Sequence, residues 1–347
     1  MLPRLARIAL ISLAAFALPL VADASMLRST AERAAEPIDP SYQALVNAAN
    51  AVVGVKVKAL PNARSNETLG EERNGSGIVI RDDGLILTIG YLIMEADTVE
   101  VTDSNGTTVP ATIVAYDHAT GFGLVKSLGK LAPRPIRIGS SAPVSQLDRL
   151  MIVTGGEEQT ISVATVVSRR QFAGYWEYLI KDAIFTAPPR LDHSGAALIN
   201  KDGELVGVGS LFVMDALTPG EKLPGNMFVP VDLLKPVLDE MVKTGGQRAG
   251  RRPWLGVNSL EENGRVTVMH VNEESPADKA GVEAGDIILS VNGEPVESLE
   301  KFYGKLWRPG AQPGNEVRLT LLHGVSLKEV TVHSIDRREF MRTKPTV

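Results

Sequence analysis

The chain has 347 residues, a formal net charge of −5 and no cysteine. The missing cysteine excludes disulfides, thiolate metal sites, a cysteine nucleophile and a lipid-modified N-terminal cysteine. The mildly acidic balance supplies no basic field, which excludes nucleic acid as an electrostatic partner.

The chain opens MLPRLARIALISLAAFALPLVADAS. Arg4 and Arg7 precede an uncharged apolar run from Ile8 to Val21, and Ala22-Asp23-Ala24 gives a small-x-small site. This pattern predicts a secretory signal peptide over 1–24, cleaved after Ala24, with an uncleaved anchor as the alternative. The run is short for a stable membrane span, which needs about 20 residues. An exported chain without covalent staples must close its own core, and a bacterial periplasm is the expected destination. Residues 25–40 are polar and alanine-rich, a flexible lead-in. Asp39-Pro40 then reads as an N-cap with proline at the first helical position, and Leu45, Val46 and Ala49 share one face of the helix that follows.

From Val52 to Ser210 the pattern becomes many short β-branched runs, such as Ile78-Val79-Ile80 and Leu85-Ile86-Leu87, separated by turn signals. Asp83-Gly84, Asn105-Gly106 and Asp202-Gly203 stand where a tight hairpin needs positive φ. Such spacing points to antiparallel barrels or a sandwich. Asp103-Ser104-Asn105-Gly106 lacks the distal glutamate of a calcium loop and reads as a hairpin turn; no metal and no other cofactor is expected. Asp232 is expected to cap a helix whose Leu234, Val237, Leu238 and Met241 form an apolar stripe. Residues 247–253 are glycine-rich and charged, a linker between a first domain over 41–246 and a second over 254–338, with a tail over 339–347.

The first domain resembles the HtrA/DegP-like serine proteases, exported trypsin-fold enzymes of protein quality control. The matching segments run in order: NGSGIVIRDDGLILT (74–88), PIRIGSSAPVSQLDRLMIVTGG (135–156), SGAALINKDGELVGVGS (194–210) and GNMFVPVDLLKPVLDEMVKTGG (225–246). The resemblance implies an all-β dominated chain, with a trypsin-like double β-barrel followed by a small α+β domain. It also implies a triad of histidine, aspartate and serine in chain order. Ser194 falls on the nucleophile position. The histidine position holds Tyr91 and the aspartate position holds Gly121. Two residues before the nucleophile, where the family uses glycine for the oxyanion hole, stands Asp192; an aspartate can adopt the left-handed conformation with some strain, but its carboxylate would repel a nearby oxyanion. Ala196 replaces a further glycine. A phenol with a pKa of about 10 is a poor acceptor for the Ser194 proton. Other candidate bases are His118, His193, Lys126 and Lys181, with His118 nearest in sequence to Gly121.

In the second domain, RRPWLGVNSL (251–260) resembles the carboxylate-binding loop of a bacterial PDZ domain, and ESPADKAGVEAGDIILSVNGEPVESL (274–299) its core. Such a domain adds a ligand strand to a sheet edge while backbone N–H groups catch a terminal carboxylate. The resemblance assigns that catch to Trp254, Leu255, Gly256 and Val257; the contrary expectation is a loop filled by its own neighbours. The expected function is a pseudoprotease that binds unfolded polypeptides or protein C-termini through its PDZ domain, as a scaffold or chaperone-like factor. The alternatives are an active serine endopeptidase with a non-standard base, or a structural assembly protein, since family resemblance implies a trimer.

Overall fold

The computed structural model describes residues 40–156, 158–246 and 251–343. The signal peptide, most of the lead-in and the Asp39 cap lie outside the described residues. Among the described residues no helix is long and apolar enough to cross a membrane.

A helix, α1 (Pro40–Asn50), starts on the proline and buries Ala48 and Ala49 against the first barrel. That barrel closes six strands: β1 (Val52–Ala59), β2 (Glu72–Val79), β3 (Leu85–Ile89), β4 (Ala96–Thr102), β5 (Thr108–Tyr116) and β6 (Phe122–Ser127), in the order β1-β2-β3-β6-β5-β4. Closure leaves no free edge. The Asp103 segment is the β4–β5 turn, where the Asp103 carboxylate accepts from the N–H groups of Asn105, Thr107 and Ala132 and Gly106 takes φ of 80°.

The second barrel uses β7 (Arg137–Ile138), β8 (Arg149–Val153), β9 (Ile161–Gly174), β10 (Tyr178–Ala187), β11 (Ala197–Ile199), β12 (Glu204–Val213) and β13 (Gly225–Pro230). Their order is β11-β8-β9-β10-β13-β12-β7, and a β11–β12 pairing closes the ring. Asp232 does not cap its own helix as the sequence suggests. Its carboxylate accepts from Ser140 Oγ, from Ser141 N and Oγ, and from Ala142 N, so it organises the loop into the second barrel. The stripe behind it is split between a 3₁₀ turn (Val231–Leu233) and a helix over Leu238–Thr244, with Leu234 and Met241 fully buried.

The third sheet holds β14 (Val257–Glu262), β15 (Arg265–Val271), β16 (Ile287–Val291), β17 (Glu294–Pro295), β18 (Glu316–His323) and β19 (Ser326–His333). Asn292 and Gly293 both have positive φ, the primed turn that matches strand twist. The helix over Leu299–Leu306 is capped by Ser298 and buries Leu299, Phe302, Tyr303 and Leu306 beneath the sheet. The chain then returns to the first barrel. A short helix over Arg337–Phe340 straddles the expected boundary at 338; the Phe340 ring packs 4.6 Å from Trp254, and Arg342 N donates to the Glu95 carboxylate at 2.7 Å.

The two barrels meet backbone to backbone. A Cβ added to Gly155, just after β8, would lie 2.0 Å from the carbonyl carbon of Val53 on β1, and Gly155 N donates to Ser76 Oγ on β2 at 2.9 Å. No side chain fits between such chains, so Gly155→Ala has to push the barrels apart. We expect it to cost roughly 2 kcal/mol, in the range of overpacked interiors, read as a lowered thermal midpoint. Gly304→Ala, on a helix face with nothing within 4 Å, is the control and should be neutral or slightly stabilising. Equal midpoints for parent and Gly155→Ala would refute the contact.

Candidate functional site

Ser194 sits in the turn before β11, held by three backbone constraints. Its carbonyl accepts from Ser76 N at 2.8 Å, Gly195 N donates to Gly209 O at 2.9 Å, and Ala196 N donates to His193 O at 3.0 Å. Gly195 has φ of 74°, and a Cβ there would strike Ser76 O at 2.0 Å. The serine position thus needs glycine beside it for space as well as conformation.

Tyr91 lies on the helical turn Gly90–Ile93 after β3 and reaches across the cleft between the barrels. Its hydroxyl is 2.7 Å from Ser194 Oγ and 2.8 Å from Ser210 O. The phenol has one proton for two neighbours. A carbonyl can only accept, so both contacts are satisfied when Tyr91 donates to Ser210 O and the Ser194 hydroxyl donates to the phenol oxygen. Burial pushes the Tyr91 pKa well above its ordinary value, and the Ser194 contact only partly offsets it. At neutral pH the group facing Ser194 is a neutral phenol.

Gly121 occupies the turn after β5 with φ of 81°, and its carbonyl accepts from Gly90 N at 2.6 Å. The space beside it is filled. A Cβ would meet the Tyr178 hydroxyl at 2.7 Å, and that hydroxyl donates to Thr120 O at 2.8 Å. Tyr178 on β10 therefore stands where a side chain from position 121 would go.

Asp192 differs from expectation. It is not among the residues with positive φ, so no left-handed strain arises there. Its carboxylate is held by Arg190, with Nε to Oδ1 at 2.8 Å, and by the Thr160 hydroxyl at 3.1 Å. Burial works to raise its pKa, but these donors outweigh it and hold the carboxyl below its usual range. The charge beside the turn is ion-paired rather than bare.

None of the other candidate bases reaches the serine. His193 turns away, with Nδ1 3.1 Å from Arg190 O, and burial lowers its pKa. His118 packs at a tilt against Tyr116, with ring centroids 4.2 Å apart, in a small pocket with Glu177, Asp336 and Arg337; burial, then the Arg337 charge, hold it well below its ordinary pKa. Lys126 pairs with Asp83 at 2.9 Å, and Lys181 is exposed on β10. A cavity of about 450 Å³ opens beside Tyr91 and His193, walled on its far side by Trp254, Asn258 and His270 of the third sheet's domain.

The carboxylate loop is occupied from within. Glu177, at the β9–β10 hairpin tip, accepts from Leu255 N at 3.0 Å, Gly256 N at 2.6 Å and Val257 N at 3.0 Å. Trp254 does not join them, because its N–H donates to Ile335 O at 2.9 Å. Gly256 has φ of 90° and no space for a Cβ, which would lie 2.3 Å from Ser275 Cβ. The hairpin also pairs with the receiving strand, as Ser259 N on β14 donates to Tyr175 O at 2.8 Å. Tyr303, from the helix beneath, accepts from Glu177 N at 3.1 Å and donates to Gly174 O at 2.7 Å. Ala173 and Leu179 pack on that domain's core.

Residues 75–208 match the family described as trypsin-like peptidase domain, and residues 253–333 match the PDZ domain family. The serine endoprotease DegS of Haemophilus influenzae is 27% identical over 82% of this chain and 84% of its own length. A probable periplasmic serine endoprotease DegP-like of Chlamydia pneumoniae is 25% identical over 70% of this chain. The chain is similar to HtrA-type serine proteases, with a trypsin-like peptidase domain followed by a PDZ domain. It spans about half the length of that DegP-like relative, 51%. Among solved structures, the HtrA-type protease AlgW with decapeptide has the same fold, with a TM-score of 0.52, 20% identity, and coverage of 88% of this chain and 99% of that one.

Glu177 escaped the sequence reading. The one signal was local: Gly174 and Tyr178 pair around a three-residue loop, and Glu177 takes its left-handed place with φ of 57°. Glycine is the easy choice there, and another residue costs roughly 1–2 kcal/mol. This chain accepts that strain where its carboxylate meets three donors.

Two expected outcomes follow from this geometry. Gly121→Asp should lower stability by about 1–3 kcal/mol, from positive φ and the Tyr178 contact together. Adding Tyr178→Phe should return part of the loss in a thermal melt. A single variant as stable as the parent would show that Tyr178 yields freely.

Burial pushes Glu177 up to about 7, against the pull of the Leu255, Val257 and Gly256 N–H groups. With the folded pKa above the unfolded value of 4.5, the folded state holds the extra proton. This contribution is complete below about pH 4.5 and is lost as pH rises towards 7. It amounts to about 3 kcal/mol at most. Glu177→Gln should flatten that part of the pH profile of the thermal midpoint, leaving the opposite His118 contribution in place. Identical profiles for parent and variant would contradict the burial of this carboxyl.

Proposed function

We propose that this HtrA-like chain is an exported pseudoprotease, a scaffold or chaperone-like factor that captures polypeptide C-termini through its PDZ domain and does not cut them. The observation that carries the reading is the Tyr91 hydroxyl 2.7 Å from Ser194 Oγ, a neutral phenol at the position where a base has to stand. A serine hydroxyl without a base is a poor nucleophile. Loss of the base alone costs about a millionfold in rate in subtilisin, roughly 8 kcal/mol of barrier. Gly121 offers no carboxylate to orient an imidazole, and Tyr178 fills the space beside it. The periplasmic designation of the DegP-like relatives and the N-terminal sequence pattern support export and a place in protein quality control.

Purified protein incubated with unfolded casein should give no Ser194-dependent cleavage, with Ser194→Ala as the control. Cleavage by the parent and not by the control would overturn the reading in favour of a peptidase with an unrecognised base.

A further inference from the structure

The PDZ groove already contains a ligand. Three successive amides of the carboxylate loop donate to Glu177, and the receiving strand β14 pairs with the Tyr175 carbonyl. Leu179 adds an apolar contact to the PDZ core. Carboxylate capture, strand pairing and an apolar anchor are the components by which an added peptide strand is held. Here all three come from one hairpin of the second barrel, residues 173–179. The Glu177 side chain is 5% exposed, so a free carboxylate cannot share these amides with it.

We infer that Glu177 is the resident ligand of the PDZ carboxylate loop, and that a peptide with a free C-terminus binds this protein only by displacing the 175–177 hairpin tip. The inference rests on the proposed reading of the groove as a C-terminal binder and adds the competitor that guards it. Displacement strips β9–β10 of its partners at Leu255–Val257, Ser259 and Tyr303. The ligand class is a peptide carboxylate followed upstream by an apolar side chain able to take the place of Leu179.

The test uses the full chain and two variants. Glu177→Gln keeps the shape and removes the charge; Glu177→Gly also removes the left-handed strain, so a folding defect in one is not shared by the other. Hydrogen exchange at the amides of residues 255–257 is read first, at one fixed pH. It should be slow in the parent and at least about tenfold faster in Glu177→Gly, as expected when a closed contact opens. A labelled peptide ending in leucine, and its C-terminal amide, are then titrated by fluorescence anisotropy. Glu177→Gly should bind the free acid about tenfold or more tighter than the parent does, and the amide no better than the parent. Unchanged exchange, or equal affinity of parent and variant for the free acid, overturns the inference. Faster exchange with no binding of the free acid by any form upholds Glu177 as the resident ligand but overturns the displacement, and it is the C-terminal reading of the groove that then fails.

Discussion

The burial of one carboxylate joins the two halves of this protein. Glu177 leaves water for a site with three backbone donors, which offset only part of the cost of that transfer even with all three pointing at it. The constraint fixes much else. The hairpin must accept a left-handed glutamate at its tip, Gly256 must stay without a side chain, and Tyr303 must bridge Gly174 and Glu177. Phe172, Trp176 and Tyr178 of the same hairpin pack together as an aromatic wall.

The same hairpin reaches the nucleophile. Tyr178 is one residue beyond Glu177, and its hydroxyl occupies the space beside Gly121. The missing side chain at Gly121 and the tyrosine at 178 are therefore complementary in shape. Tyr91 completes the change: a phenol bonded to a carbonyl and a hydroxyl closes a neutral network around Ser194, where a triad would need a proton path. The polar groups are satisfied, which makes the arrangement a stable one rather than a damaged site.

Most of the fold was legible because its signals are local. Asn292-Gly293, Ser275-Pro276 and the alternating runs of the barrels each specify their own turn, cap or strand. Tyr91 beside Ser194 was legible too, since the motifs fix both positions in the cleft. Asp232 was misread because a residue next to a helix start looks the same whether its carboxylate serves that helix or the loop at Ser140–Ala142. The Arg190 and Thr160 partners of Asp192 were not legible for a similar reason, being set by folding. Glu177 was invisible as a ligand: the donors lie some eighty residues away, and nothing in YWEY states which surface it will meet.

Residues 337–342 return to the first barrel, with Arg64 over the Phe340 ring and Arg342 bonded to Glu95, while Phe340 also packs on Trp254 of the PDZ domain. The PDZ domain is thus fastened to the protease-like barrels by chain at both of its ends, and the closed groove faces a competitor that never diffuses away. In such a geometry the internal carboxylate acts at an effective concentration of order millimolar or above. An outside peptide is then measured against that standing concentration. If the groove takes C-termini as proposed, chains at ordinary cellular abundance would register weakly, whereas C-termini that are clustered, or displayed repeatedly on one surface, would not. On the proposed reading of the groove, the molecule would act as a threshold detector of local crowding of chain ends.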